Sequence, residues 1–249
     1  MRRPRATDYR GPSNPLPYTA PMEPAPIIPA ATVVPLRDGA DGLETLMLRR
    51  NSKLEFAGGM WVWPGGRIDP DDYPGGEPTT DPDGLVAAAR TAAVREATEE
   101  AGISVDRDAL VWFAHWTPPT IAPKRFGTYF FAAPAPDGRV TIDGGEIHDH
   151  AWWAPTRAMA LRNELEIELS PPTWITLEQL APFSSVAEAL AALSSRPPEY
   201  FATRFTSVEG GAVALYHGDS GYEDEVADRP GGRHRLWMVD DGWRYERSV

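Results

Sequence analysis

The sequence contains no cysteine. Disulfide scaffolds, thiolate metal centres and cysteine nucleophiles are therefore excluded. No apolar run approaches the roughly 18 residues that a membrane helix needs, and no apolar h-region marks a secretory signal near the N-terminus. Positive charge is also scarce. Lys53 and Lys124 are the only lysines, and 24 Lys+Arg against 36 Asp+Glu leave a net charge of −12. Such a chain repels phosphate backbones, so neither nucleic acid nor membrane is an expected partner. A cytoplasmic protein acting on a small molecule, through a local basic pocket, is the expectation.

What is present suffices for a core. Apolar residues make up 42% of 249, enough for one sizeable domain with extensions. Residues 1–27 are read as a disordered tail, because the first 29 residues hold eight prolines and several arginines. Ala31–Leu36 and Leu43–Arg49 read as strands of a hairpin, joined across Asp38-Gly39 and Asp41-Gly42. Pro70–Gly84 reads as a loop. Leu85–Ala101 holds seven alanines and neither Gly nor Pro, so it is predicted as a helix, capped by Asp83 and closed by Gly102. Leu110–Trp116, Thr128–Ala133, Ala151–Trp153, Ala212–Tyr216 and Leu236–Val239 read as strands. Thr156–Asn163, Trp174–Leu180 and Val186–Leu193 read as helices. The irregular alternation implies a mixed α/β fold, an α+β sandwich, rather than a doubly wound sheet.

The helix ends on Arg95-Glu96-Ala97-Thr98-Glu99-Glu100-Ala101-Gly102-Ile103. At about 100° per residue, Glu96, Glu99 and Glu100 share one face. Acids on a helix usually form a solvated face. These break two local rules, however. Glu96 and Glu100 are a like-charge i,i+4 pair, and all three lie where the helix dipole disfavours negative charge. Rules broken together suggest a site, and clustered carboxylates suit a hard cation such as Mg2+. Ala88, Ala89 and Ala92 precede the acids on the same face and are small enough to leave room for metal and substrate. Gly65-Gly66 lies upstream, where backbone can approach a ligand closely.

The combination resembles the Nudix box, G-x5-E-x7-R-E-U-x-E-E-x-G-U. Gly66 supplies the first glycine, and Arg95, Glu96, Glu99, Glu100, Gly102 and Ile103 match the second half. Two departures stand out. Gly66 and Arg95 are 29 positions apart rather than 14, an excess of 15 that equals the length of Pro70–Gly84. The residue eight before Arg95 is Ala87 instead of Glu, and Asp69 is the nearby acid that could replace it. The resemblance implies the Nudix fold, a mixed sheet flanked by helices around a loop–helix–loop motif, over residues 28–185. It also implies metal-dependent hydrolysis of a nucleoside-diphosphate-linked substrate. In that reading Mg2+, or Mn2+, is held by Glu96, Glu99, Glu100 and the carbonyl of Gly66 or Gly65. Arg95 orients the carboxylates. The base is Glu99 or Glu100, or a loop acid such as Glu146, Glu164 or Glu166.

His115-Trp116-Thr117-Pro118, Pro123–Phe131 and Leu169–Leu177 are similar to the coenzyme A and acyl-CoA diphosphatase branch. Its implied products are 3′,5′-ADP and 4′-phosphopantetheine or its acyl form. Lys124 stands among prolines and aromatics and is a candidate phosphate contact, with Arg50, Lys53, Arg67 and Arg125 as further substrate-binding candidates. Trp116 and Trp174 read as core anchors first, and Pro171-Pro172 as a rigid loop. Hydrolysis of another ADP-linked compound, or a non-catalytic sensor, are the competing readings. Residues 186–249 form an extension that completes the sheet, covers the acyl or pantetheine end, or makes a homodimer contact.

Overall fold

The computed structural model describes residues 24–53 and 57–249. Most of the proposed tail, residues 1–23, lies outside them. The first hairpin is longer than its sequence pattern suggests. Strand β1 (Ile27–Gly39) pairs antiparallel with β2 (Gly42–Arg50), and Gly39 faces Gly42 across the turn. Two short strands follow, β3 (Trp61–Val62) and β4 (Gly65–Arg67). Helix α1 (Pro82–Ala101) comes next, then β5 (Val111–Thr117), β6 (Arg125–Pro134) and β7 (Ile147–Trp153). Helices α2 (Pro155–Asn163), α3 (Pro171–Leu180) and α4 (Val186–Ser194) lead into β8 (Glu199–Ala202). The chain closes with β9 (Arg204–Val208), β10 (Gly211–Leu215), β11 (His234–Val239) and β12 (Gly242–Arg247).

The main sheet is mixed, ordered β3-β2-β1-β6-β5-β8, with β4 also on β1 and β7 also on β2. β1 runs parallel to β6, and β5 runs parallel to β8. Strands β9–β12 form a second, antiparallel sheet. The main sheet is covered on both faces because its strands alternate two apolar sets. Ala31, Val33, Leu46, Leu48 and Phe131 face α1. Val34, Leu36, Met47, Phe130 and Trp116 face α3, α4 and the second sheet. This is the mixed, helix-flanked α+β sandwich that the sequence implied.

Three sequence expectations are corrected here. The alanines Ala88, Ala89 and Ala92 are fully buried against the sheet. They let α1 approach β1 closely and leave no room for a ligand. The helix begins earlier than expected. Asp81, not Asp83, is its cap, accepting from Gly84 N–H at 2.8 Å, because Pro82 at the first turn needs no hydrogen bond to its nitrogen. The Pro70–Gly84 segment is accordingly part helix. Pro171-Pro172 likewise opens α3 after Ser170, rather than forming a loop. Gly102 closes α1 as expected, in the left-handed conformation at φ 64°.

Candidate active site

The acidic end of α1 is brought to the sheet by β4. Gly65 and Gly66 lie against β1, where Gly65 faces Thr32 and Gly66 faces Ala31. Both approaches are close. A Cβ on Gly65 would stand 2.6 Å from the Ala31 carbonyl oxygen, and one on Gly66 would overlap the Glu96 carboxylate. The sheet therefore touches the helix acids through bare backbone.

Glu100 is the innermost acid, with 5% of its surface exposed. Its Oε2 accepts from Gly65 N–H at 3.0 Å, and Arg50 Nη1 lies 3.6 Å from its Oε1. Burial pushes its pKa up to about 8, with Glu96 and Glu146 adding repulsion against the lowering effect of Gly65 N–H and Arg50. Burial also raises Glu96, against the pull of Arg95. Glu99, at the rim, is largely exposed.

Arg95 ties the group together. Its Nη1 donates to Glu96 Oε1 at 2.7 Å and to Glu99 Oε2 at 3.1 Å. Its Nη2 donates to the Arg67 carbonyl at 3.0 Å. The other edge of the guanidinium forks onto Asp72, Nε to Oδ1 at 3.1 Å and Nη2 to Oδ2 at 2.8 Å. The Asp72 hydrogen bonds are the first cause of the raised Arg95 pKa.

Asp72 was missed by counting back from Arg95, which gave Ala87. Counting forward from Gly66 finds it at once, since 66 + 6 = 72 is the acid position of G-x5-E. The extra residues are inserted after that acid, not before it. Asp69, the expected replacement, reaches Arg95 only at 3.9 Å. Its backbone N–H instead donates to Asp72 Oδ2 at 2.9 Å.

Glu96, Glu99, Glu100 and Asp69 line a cavity of about 690 Å³. Glu146 also lines it, paired to Arg50 at 3.1 Å and presented by a turn in which Asp143 accepts from the N–H groups of Glu146 and Ile147. Glu164 and Glu166 are not on the cavity wall, and Glu164 is paired with Arg157. Of the basic candidates, Arg50, Arg67 and Lys124 line the cavity. Lys53 and Arg125 do not. Lys53 is exposed, and Arg125 is buried, its Nη1 and Nη2 donating to the carbonyls of Ala25 and Pro118. Trp116 is both core anchor and cavity wall, only 3% exposed yet lining the space, whereas Trp174 is a core residue.

The donor set suits a divalent cation. Glu96, Glu99 and Glu100 could offer hard carboxylate oxygens on one cavity, and Gly66 keeps the space beside Glu96 free of side chain. Among the described residues no three acidic or imidazole side chains are drawn into a tight cluster. The Arg95 guanidinium stands between Glu96 and Glu99 as the cation they hold.

Comparison with known proteins agrees with this geometry. The NUDIX domain family matches residues 26–173. No curated protein matches the sequence. Among solved structures, a NUDIX hydrolase from Alicyclobacillus acidocaldarius is 24% identical and superimposes with a TM-score of 0.61, over 69% of this chain and 99% of that one. A MutT NUDIX hydrolase from Burkholderia pseudomallei is 21% identical, with a TM-score of 0.45 over 63% of this chain and 99% of that one. The first likeness bears on the fold.

Proposed function

The chain belongs to the NUDIX family, and from that premise we propose that it hydrolyses coenzyme A or an acyl-CoA at the diphosphate. The products are 3′,5′-ADP and 4′-phosphopantetheine or its acyl form. At the coarser level it is a NUDIX pyrophosphohydrolase acting on a pyrophosphate-containing substrate. One observation carries the CoA reading. The segments similar to the CoA branch, Trp116-Thr117-Pro118 and Ser170-Pro171-Pro172-Thr173, converge on the cavity that holds the helix acids.

In this reading Glu96, Glu99 and Glu100 hold Mg2+ or Mn2+ with the Gly66 carbonyl. A divalent cation bound there supplies charge neutralisation on the diphosphate and activation of water. Arg95 keeps Glu96 and Glu99 at a fixed spacing, and Asp72 keeps Arg95 in place. Gly65 N–H fixes Glu100. Arg67 and Lys124 are cationic groups on the cavity wall and contact the substrate phosphates. Glu146 lines the same cavity, joined to Glu100 through the Arg50 guanidinium, and acts as proton acceptor for the attacking water. Its bond to Arg50 keeps it oriented. All three box acids are present, which weighs against a non-catalytic sensor.

A mass-resolved product assay tests this. Purified protein with Mg2+ is given CoA, an acyl-CoA, NADH and ADP-ribose. Release of 3′,5′-ADP and phosphopantetheine, lost in the Glu99→Gln/Glu100→Gln double variant, is the expected result. Turnover confined to NADH or ADP-ribose would overturn the CoA reading and leave the metal chemistry standing.

A further inference from the structure

The matched domain ends at residue 173, but the cavity does not. Thr203 and Phe205, from the extension, are part of its wall. The sheet register shows how they arrive there. Arg67 on β4 faces Ala30 on β1, Ala30 faces Thr128 on β6, Thr128 faces Trp116 on β5, and Trp116 faces Phe201 on β8. These residues form one row across the sheet. Thr203 N–H donates to the Thr117 carbonyl at 3.0 Å just beyond the last pair. The Phe201 ring stacks on Trp116 at 3.9 Å and 4°, which fixes β8 to the cavity floor. Four strand spacings separate the ends of the row, about 19 Å at about 4.8 Å each. One end carries the carboxylates and Arg67. The other end differs in chemistry. Trp116, Pro118, Pro119, Phe126, Phe130 and Phe205 supply most of its surface, with the hydroxyls of Thr117, Thr128 and Thr203 and the Lys124 side chain also on the cavity wall.

We propose that the extension makes Phe205, with Trp116 and Phe130, a specificity-determining wall for a hydrocarbon chain carried at the far end of an extended diphosphate substrate. This rests on the diphosphatase reading and adds the substrate class. A hydrocarbon chain needs only apolar surface and length.

The test is calorimetric binding of alkyl methylenediphosphonates, whose P–C–P bridge is not hydrolysed, with butyl, octyl and dodecyl chains in the presence of Mg2+. Affinity is expected to rise with chain length, by up to about fourfold per buried methylene. Phe205→Ala should weaken the dodecyl compound at least about tenfold, in line with several lost methylene contacts, and leave the butyl compound unchanged. Phe205→Trp, which keeps the aromatic packing, should shorten the longest chain accepted and guards against loss of fold in the alanine variant. Affinity independent of chain length, or equal weakening of butyl and dodecyl compounds, would overturn the proposal. A length effect seen while CoA esters are not hydrolysed would uphold it and defeat only the CoA reading. CoA turnover without a length effect would do the reverse.

Discussion

Arg95 and Asp72, 23 positions apart, meet in a two-pronged contact of 2.8 and 3.1 Å beneath the carboxylates that Arg95 orients. Asp72 is almost fully buried, so the contact is shielded from solvent. This makes Asp72 a positioning residue. Asp72→Asn should weaken apparent Mg2+ affinity about tenfold or more, the usual effect of removing an outer partner of a metal ligand. Asp69→Asn should change it little, given the 3.9 Å separation. Magnesium titrations of activity for the two variants check this, and equal effects would refute it.

The adjacent box acids Glu99 and Glu100 differ in burial. Glu99 is exposed and Glu100 is buried against Gly65. Glu99→Gln should leave the melting temperature unchanged and lower kcat by about two orders of magnitude or more, the scale of lost acid–base or metal catalysis. Glu100→Gln should lower kcat similarly, since an amide oxygen still accepts from Gly65 N–H. Near-normal turnover in both variants would remove the assignment.

Adjacent glycines give opposite phenotypes. Gly65→Ala drives a Cβ towards the Ala31 carbonyl, which is fixed backbone. It should cost about 1–3 kcal/mol of stability, as overpacking does. Gly66→Ala meets the Glu96 side chain, which can swing away. It should retain most stability and lose activity. Thermal melts and kcat, measured on both proteins, distinguish the two sites.

The second sheet should be acid-sensitive. Burial holds the His234 pKa below its ordinary value, and Arg247 acts in the same sense, against His217 O, Glu199 and Asp219. The folded protein thus binds a proton less readily than the unfolded chain. Stability is full above the unfolded value of about 6.5 and is lost as pH falls from there towards the lowered folded value. One such group contributes at most about 1.4 kcal/mol per pH unit. His115, also lowered by burial, acts in the same direction. Melting temperatures between pH 5 and 7.5 should fall with acid, less steeply in His234→Asn. An unchanged slope in that variant would refute the role of His234.

Long periodic elements were legible in the sequence, and elements made by their partners were not. The first hairpin, the alanine helix and the three later helices follow from local pattern. Strands β3 and β4 do not, since Trp61–Val62 and Gly65–Arg67 are too short for alternation and Gly65-Gly66 has no strand preference of its own. Their pairing with β2 and β1 creates them. In the site, the helix acids and Arg95 were visible because their spacing is local. Asp72 was hidden because the insertion separates it from the residues it serves. Arg125 looked like a substrate contact because sequence shows charge but not that the side chain is buried, with Nη1 and Nη2 bonded to two carbonyls.

The parallel pairing of β5 with β8 also governs the order in which the chain can fold. The Thr117 carbonyl must wait for the N–H of Thr203, which is synthesised long after β5 itself. Until then β5 is an open sheet edge bearing Trp112 and Trp116, the kind of edge that invites pairing with another chain. A non-local closure of this type slows folding. A protein shortened to its family domain would therefore carry that open edge permanently, and aggregation would be its characteristic failure.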